Sequence, residues 1–186
     1  MYGTLFSGDP TTVLDSDSTC SLAGAARQGP RMAVGTIVRT DDNKLWKYVK
    51  LADEDTVVGT QYAPVYYTDV LRTTVTPDYS DGIGSGKNNG AGIWILATTT
   101  AGATTGPFDT YEGNYYAFIQ LKGVVGAGTA LCPADGDAAA GDLLIAEADS
   151  TFTHINAGTA PVYREQGVVI LAIDTGKVGA YIDFPQ

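Results

Sequence analysis

The sequence has few of the residues on which most enzymes rely. It contains one histidine, His154, and two cysteines, Cys20 and Cys132. A zinc site needs more than one histidine or closely spaced cysteines, and these two cysteines are far apart in the chain. Nothing around Ser85 or Ser150 resembles a nucleophile elbow, so a Ser-His-Asp arrangement has no support beyond the presence of the residue types. These absences favour a protein that is not an enzyme and that holds no metal or cofactor.

Long hydrophobic runs and basic residues are also scarce. The longest apolar runs, residues 93–97 and 168–173, are far shorter than the about 20 residues of a membrane span. The N-terminus lacks a basic stretch followed by an apolar one, so we expect no secretory signal. The 21 acidic residues outnumber the 11 basic ones, which gives a formal net charge of -10. Phosphates repel such a surface, so nucleic acid is not expected as a direct partner.

Two further ligand motifs fail on their details. Segment 82–88 is glycine-rich, but Asp81 stands where a phosphate loop has its first glycine, and Asn88 stands where it has a hydroxyl residue. The acids at 53–55 and at Asp135, Asp137 and Asp142 lack the full ligand ladder of a calcium loop. We interpret the first segment as a flexible loop and the acids as solvated turn residues.

His154 and the cysteines have ordinary structural interpretations. We interpret His154 as a histidine at the surface or at the edge of the core. A disulfide between Cys20 and Cys132 is possible, but two free thiols in a reducing cytoplasm are the simpler interpretation.

The chain divides into an arm and one domain. Residues 1–33 are polar and have few apolar anchors, which predicts an extended N-terminal arm. Residues 34–186 predict a single β domain, in which 78–113 is a loop-rich insertion dominated by Gly and Thr. No segment shows convincing helical periodicity. We predict an all-β fold, a compact β-barrel or sandwich of short antiparallel strands with long Gly/Thr-rich loops.

Individual strands are predicted from β-branched and aromatic residues and from alternation. The clearest half-buried strand is 178–184, and 115–125 is a long strand with two different faces. Segment 57–75 is predicted as further strand, with parts at 57–58, 65–67 and 70–71, and Thr73, Thr74 and Thr76 add β-branched residues. Segments 93–99 and 168–173 are also predicted as strands, whereas 77–92 is predicted as a loop.

Segment 34–51 predicts a hairpin whose pattern returns 106 positions later. Gly141 corresponds to Gly35, and Phe152 corresponds to Trp46, with no gap over fifteen positions. Each copy has an apolar strand, a polar turn and a strand with one large aromatic residue. Common ancestry and the general likeness of hairpins both explain the match, and both predict the same local structure.

Basic and aromatic residues supply the candidate contact surfaces. Five bases lie within twenty residues, and this basic hairpin either docks on an acidic neighbour or forms a solvated sheet face, which we favour. The tyrosines at 66–67 and 115–116 and Trp94 suit either a sugar-binding platform or, preferably, the core and a subunit interface. The five bases are Arg31, Arg39, Lys44, Lys47 and Lys50.

The residues also resemble a known group of proteins. Val-Gly-Thr-Ile-Val at 34–38 and Leu-Trp-Lys-Tyr-Val-Lys at 45–50 resemble an opening found in structural proteins of tailed-bacteriophage heads. Segments 138–144, 167–173 and 180–182 are similar to their closing half. The resemblance covers about half of the chain and implies a capsid decoration (cement) protein, a small β domain on the outer shell that is often trimeric.

We therefore expect a virion structural protein, made in the host cytoplasm, that binds the major capsid protein and copies of itself, with a trimer favoured. It is expected to bind no membrane. The alternative is a head-fibre, tail or adhesion module that binds host carbohydrate through Trp94, Tyr111 and Tyr115, and a small hydrolase ranks last. The predicted partner-binding residues are Tyr2, Leu5, Phe6, Arg31, Arg39, Lys44, Lys47, Tyr66 and Tyr67.

Overall fold

Strands make up the regular structure of this chain. The computed structural model describes residues 5–6, 30, 32–52, 60–83, 90–94, 109–111, 114–125, 131–148, 151–156, 167–174 and 176–184. These residues contain thirteen strands and no helix, so the predicted all-β class, a barrel of short strands, is confirmed. The strands are β1 (Leu5–Phe6), β2 (Ile37–Thr40), β3 (Leu45–Leu51), β4 (Pro64–Tyr67), β5 (Thr74–Thr76), β6 (Gly90–Trp94), β7 (Asp109–Tyr111), β8 (Asn114–Val125), β9 (Cys132–Pro133), β10 (Leu143–Ala148), β11 (Thr151–Ile155), β12 (Gly167–Asp174) and β13 (Lys177–Asp183).

Five strands close into a barrel, which we call the first barrel. They pair in the order β3, β5, β4, β6 and β8, and β8 pairs back onto β3. The β3–β5 pair is parallel, and the other pairs of the ring are antiparallel. Side chains fill the interior, as is usual for small barrels. The buried ones are Val49, Leu51, Val65, Tyr67, Val75, Ala91, Trp94, Ala117, Ile119 and Leu121.

Five other segments form a second ring beside the first barrel. Strands β13, β12, β10 and β11 pair in that order. β9 pairs with β13, and one parallel bridge between Ala134 and Phe152 joins the segment after β9 to β11. The ring therefore also closes on itself. Its core contains Val125, Cys132, Ala134, Ala138, Leu144, Ala146, Phe152, Val169, Val178, Ala180, Ile182 and Phe184.

Strand β8 shows the two faces that its sequence predicts. Ala117, Ile119 and Leu121 point into the first barrel. Tyr116 and Phe118 point the other way, into a buried aromatic cluster that also contains residues of β2 and β3. This outer cluster explains why β8 is apolar on both faces, since each face covers a different core.

The same strand serves both rings. One edge of β8 pairs with β3, while residues near its end, such as Val125, pair with β13. Leu121 belongs to the core of the first barrel and Val125 to that of the second ring. Between them, Gly123 has a φ of 119°, a conformation that other residues rarely adopt. The strand therefore passes from one core to the other at a glycine.

The repeated hairpin is recognisable in the backbone. Thr36 N–H donates to Ala33 O at 3.0 Å, and Asp142 N–H donates to Ala139 O at 3.0 Å, so the same turn occurs 106 positions apart. Gly35 and Gly141 occupy it with φ values of 89° and 97°. Glycine is favoured at both places because the left-handed region strains other side chains.

The two hairpins differ in their partner strands. Gly35 N–H donates to Tyr48 O within its own hairpin, whereas Gly141 N–H donates to Val169 O of β12. The equivalent strands are also paired in a register that differs by two residues, because Ile37 faces Lys47 whereas Leu143 faces Ile155. The sequence repeat thus predicts the local element but not its place in the sheet.

One strand assignment and one loop assignment from the sequence were wrong. Val70 and Leu71 lie in the loop between β4 and β5 instead of in a strand, and their exposed fractions are 85% and 79%. Residues 90–92, predicted as loop, form the start of β6 and are buried. Glycines suit this strand because Gly90 and Gly92 closely approach neighbouring groups. Part of the predicted loop-rich insertion therefore closes the first barrel. The predicted strand at 57–58 and residues 95–99 of the predicted strand 93–99 lie outside the described residues.

The junction of the two rings can be tested at Gly90. A Cβ on Gly90 of the first barrel would lie 2.7 Å from Phe184 Cε1 and 3.0 Å from Ala146 Cβ in the second ring. Gly90→Ala is expected to lower the free energy of unfolding by about 1–3 kcal/mol, because it overpacks this contact. Urea denaturation measures the change. In a Phe184→Leu background the same substitution should cost less, and an equal cost in both backgrounds would argue against a contact between the rings.

Candidate partner-binding surface

The residues predicted to bind partners do not form one surface. Tyr2 and Arg31 lie outside the described residues. Leu5 and Phe6 form β1, whose backbone pairs in parallel with Arg39 and Thr40 of β2 in the same chain. The described part of the arm therefore extends the molecule's own sheet.

The three described bases of the predicted set have different environments. Arg39 is exposed, and one of its guanidinium N–H groups donates to Asn43 Oδ1 at 2.6 Å. Lys44 Nζ lies 2.6 Å from Asp42 Oδ2. Lys47 is only 8% exposed and points into the first barrel with Val49. The hairpin is therefore not a uniform basic face.

The two neighbouring tyrosines are core residues. Tyr67 is 6% exposed and belongs to the interior of the first barrel. Tyr66 is fully buried, and it packs from the outer face of that barrel into the core of the second ring. Their rings therefore hold the fold together and lie beneath the surface that a partner would meet.

Lys47 and Tyr67 lie below the loop that joins β4 to β5. Lys47 Nζ donates to Tyr67 Oη at 3.0 Å, and Arg72 Cζ lies 5.9 Å from the Tyr67 ring centroid. Burial lowers the pKa of Lys47, and the charge of Arg72 lowers it further, whereas Asp69 acts in the opposite direction. Burial raises the pKa of the Tyr67 phenol to about 12. The Tyr67 phenol below the loop is therefore neutral, and the Lys47 amine beside it is buried.

A single carboxylate braces this loop. Asp69 Oδ1 accepts the N–H groups of Thr73 at 2.7 Å and Thr74 at 3.1 Å, and Oδ2 accepts both threonine hydroxyls. Arg72 N–H donates to Asp69 O, and Arg72 has a φ of 55°. Burial acts to raise the pKa of Asp69, but the hydrogen bonds from Thr73 and Thr74 outweigh it and lower the pKa.

The braced loop presents two apolar side chains to solvent, Val70 and Leu71, which we call the apolar tip. Val70 is 85% exposed and Leu71 is 79% exposed, more than the next large hydrophobic residue of the described part, Val124, at 52%. Burying such a side chain completely is worth about 1.5–3 kcal/mol, so this tip is a strong candidate contact. Asp69 and Arg72 flank it with opposite charges.

A groove lies at the other end of β4. Tyr62, which has a φ of 64°, donates its N–H to Trp94 O, and Trp94 N–H donates to Ala63 O, so this wall is held by the backbone of β6. The opposite wall belongs to the second ring, where Lys177 faces Pro133. The groove has a volume of about 210 Å³ and is lined by Thr60, Gln61, Tyr62, Leu131, Pro133 and Lys177.

His154 has a clear structural role. Asp135 Oδ1 accepts the His154 backbone N–H at 2.9 Å and lies 2.7 Å from His154 Nδ1. This hydrogen bond raises the pKa of His154, and it ties the segment after β9 to β11. The predicted position of His154 at the edge of the core agrees with its side-chain exposure of 19%.

Among the described residues, no three His, Cys, Asp or Glu side chains converge to hold a metal ion. Within the same ranges, no helix is long and apolar enough to cross a membrane. Cys132 is a free thiol, fully buried, and burial raises its pKa to about 12. Cys20 lies outside the described residues.

The sequence analysis missed both the apolar tip and the groove. The signal for the tip was available, because Thr68-Asp69 and Thr73-Thr74 surround Val70 and Leu71 with residues that favour turns with side-chain hydrogen bonds. The groove has no sequence signal, since its two walls come from distant parts of the chain.

The role of Asp69 in the braced loop can be tested by substitution. Asp69→Ala is expected to lower the free energy of unfolding by about 1–2 kcal/mol, because the amides of Thr73 and Thr74 lose their acceptor. The pKa of Asp69 is lowered in the folded state. The extra stability of the wild type over Asp69→Ala is therefore present above the pKa that Asp69 has in the unfolded chain, and it is lost as the pH falls through the pKa of Asp69 in the folded protein. Urea denaturation as a function of pH measures it. Asp78→Ala, on another turn, is the matched control, and an equal loss there would contradict a special role of Asp69.

The His154–Asp135 pair is expected to make the stability of the protein depend on pH. The pKa of His154 is raised, so its contribution to stability is complete below the unfolded pKa and disappears as the pH rises through the folded one. At low pH the free energy of unfolding of the wild type should exceed that of His154→Gln by about 1 kcal/mol or less, since Asp135 is partly exposed. The difference should shrink as the pH is raised. Chemical denaturation at about pH 5.5 and about pH 9 tests this, and a difference that grows with pH would contradict it.

Comparison with known proteins adds no family to these observations. No family model matches the chain, and no curated protein matches it. The candidate surface therefore depends on the geometry of the described residues.

Proposed function

We propose that this chain is a non-enzymatic structural protein of a tailed-phage virion, a decoration protein on the outer surface of the head. In this role it contacts the major capsid protein and copies of itself, with a trimer favoured. The observation that carries the proposal is the apolar tip, a solvent-exposed Val70-Leu71 pair on a loop braced by Asp69. Apolar side chains that are held in solvent on a braced loop gain free energy when a partner buries them.

The interior of the fold is consistent with this role. The first barrel is filled by side chains such as Trp94 and Tyr67, which are 1% and 6% exposed. A barrel of this size has no room for a substrate when its interior is occupied. Binding through the outer surface is then the natural mode of action.

The charge of the chain supports a location away from nucleic acid. A formal net charge of -10 disfavours contact with packaged DNA, and the outer face of a shell avoids that contact. Leu5 and Phe6 pair with β2 of their own chain, so in this structure they do not add a strand to a neighbouring copy.

The carbohydrate-binding alternative loses its central aromatic residue. Trp94 is 1% exposed inside the first barrel, so it offers no face to a sugar ring. Tyr115 is partly buried, and only the backbone of Tyr111 is described. The hydrolase alternative still ranks last, because nothing around Ser85 or Ser150 resembles a nucleophile elbow, although Asp135 holds His154 Nδ1 as the aspartate of a catalytic triad does.

The proposed location on the shell can be tested on purified particles. Phage particles purified from a lysate of the producing host should carry this protein on the head, and immunogold electron microscopy with an antibody to it measures the label. Leu71→Ser, which alters the apolar tip, should lower the occupancy of the shell while circular dichroism shows a folded domain. Particles without label would contradict the proposal, as would full occupancy by the Leu71→Ser protein. A glycan array with the intact protein tests the carbohydrate alternative.

A further inference from the structure

Lys47 has an environment that is unusual for a lysine. A lysine near a surface usually pairs with an acid, as Lys44 does with Asp42 at 2.6 Å. Lys47 is only 8% exposed, and no carboxylate of the described residues forms an ion pair with its amine. Within the same part of the chain, the hydrogen-bond partner of this amine is Tyr67 Oη, at 3.0 Å. The amine is therefore buried beside a neutral phenol and lacks a counterion there.

Such an environment favours the neutral amine over the ammonium ion. An ammonium group has three N–H donors and no acceptor, and the described neighbours of Lys47 offer it one oxygen, that of Tyr67. A buried charge without a counterion is costly, so the group releases its proton more readily. Burial and the positive charge of Arg72 lower the pKa of Lys47, and the opposing effect of Asp69 is smaller.

The strands beside Lys47 do not supply a charge. The residues opposite it are Ile37 on β2 and Ile119 on β8, and both are apolar. The charged groups that act on the amine therefore come from the loop above it, where Arg72 and Asp69 lie. The Asp69 carboxylate is already occupied by the backbone and side-chain donors of the loop. A neutral amine at this position keeps its lone pair available as a nucleophile.

Two groups next to this amine suit a carboxylate. The Tyr67 hydroxyl accepts a hydrogen bond from Lys47 and donates its own hydrogen to no residue of the described ranges. Burial raises the pKa of this phenol to about 12, so the hydrogen is retained and can be donated to an anion. Arg72 Cζ lies 5.9 Å from the centre of the Tyr67 ring, and Arg72 is exposed. No described acid forms an ion pair with its guanidinium.

We propose that Lys47 is a site of reversible carbamylation by carbon dioxide. The amine nitrogen forms a bond to the carbon of CO2, one C=O π bond breaks and leaves its electron pair on oxygen, and the nitrogen releases a proton to water. The amine and CO2 thus give a carbamate, R–NH–COO⁻, and one H⁺, with no other reactant. The Tyr67 hydroxyl then donates to the carbamate, and Arg72 supplies the counter-charge.

The position of Lys47 selects a small reagent. The interior of the first barrel is filled by side chains, so a bulky electrophile has no room there. Carbon dioxide is small and uncharged, and the added carboxylate extends toward the exposed Arg72 at the end of the barrel. The modification does not depend on a location on a shell, so it and the proposed function fail separately.

Isotope labelling and trapping test the proposal on the isolated wild-type protein. With carbon-13 bicarbonate at about pH 7.5, where solvated lysines are almost entirely protonated, a carbamate carbonyl signal should appear in the carbon-13 NMR spectrum. Triethyloxonium tetrafluoroborate converts the carbamate into a stable ethyl ester, and peptide mass spectrometry locates that ester. The esterified fraction at Lys47 should exceed severalfold that at Lys44 and at Lys122, which are both paired with carboxylates. Peptide mapping also separates this product from that of the N-terminal amine.

A variant at Arg72 tests the binding of the carbamate. Arg72→Gln should lower the esterified fraction at Lys47 severalfold, because the counter-charge is lost and the amine retains its proton more strongly. Arg39→Gln is the matched control, since it removes an exposed base of β2 and should leave the fraction unchanged. Circular dichroism establishes that both variants are folded. Absence of ester at Lys47, equal fractions at the three lysines, or an unchanged fraction in Arg72→Gln would overturn the proposal.

Discussion

The ladder between β3 and β8 is the constraint on which the rest of the structure depends. It joins strands distant in sequence, from Leu45 opposite Lys122 to Lys50 opposite Tyr116, and thereby closes the first barrel. The same two strands carry the outer aromatic cluster, where Tyr48 stacks on Tyr116 with centroids 5.9 Å apart. β8 then continues into the second ring. Loss of this ladder would open one core, uncover the cluster and remove a support of the other core.

The apolar tip illustrates how a rigid body supports an exposed contact. Loops with large apolar side chains in solvent usually gain by collapsing onto the protein. Here the carboxylate of Asp69 occupies the donors of Thr73 and Thr74, and the Tyr67 ring and Lys47 fill the space below. The hydrogen bonds to Asp69 fix the backbone of the loop, and the Leu71 side chain is 79% exposed to a partner.

Sequence reasoning predicted the elements better than their arrangement. Alternation identified β8 and β13 because each apolar face covers a core, and the repeat at Gly35 and Gly141 located two equal turns. It failed at Val70 and Leu71, since β-branched and aliphatic residues favour strands unless a neighbouring side chain such as Asp69 braces a loop. The groove was beyond reach, because Tyr62 and Lys177 meet only through the pairing of distant strands.

The contact between Asp135 and β11 has a consequence for how this protein can aggregate. β11 is the last strand of the sheet, and its outer edge is occupied, because Asp135 N–H donates to Phe152 O and the Asp135 carboxylate accepts from His154. An open edge of this kind would recruit further chains into cross-β fibrils. With Asp135 in place, the Phe152 carbonyl and the His154 N–H on that edge are already paired, which disfavours the addition of a strand from another copy.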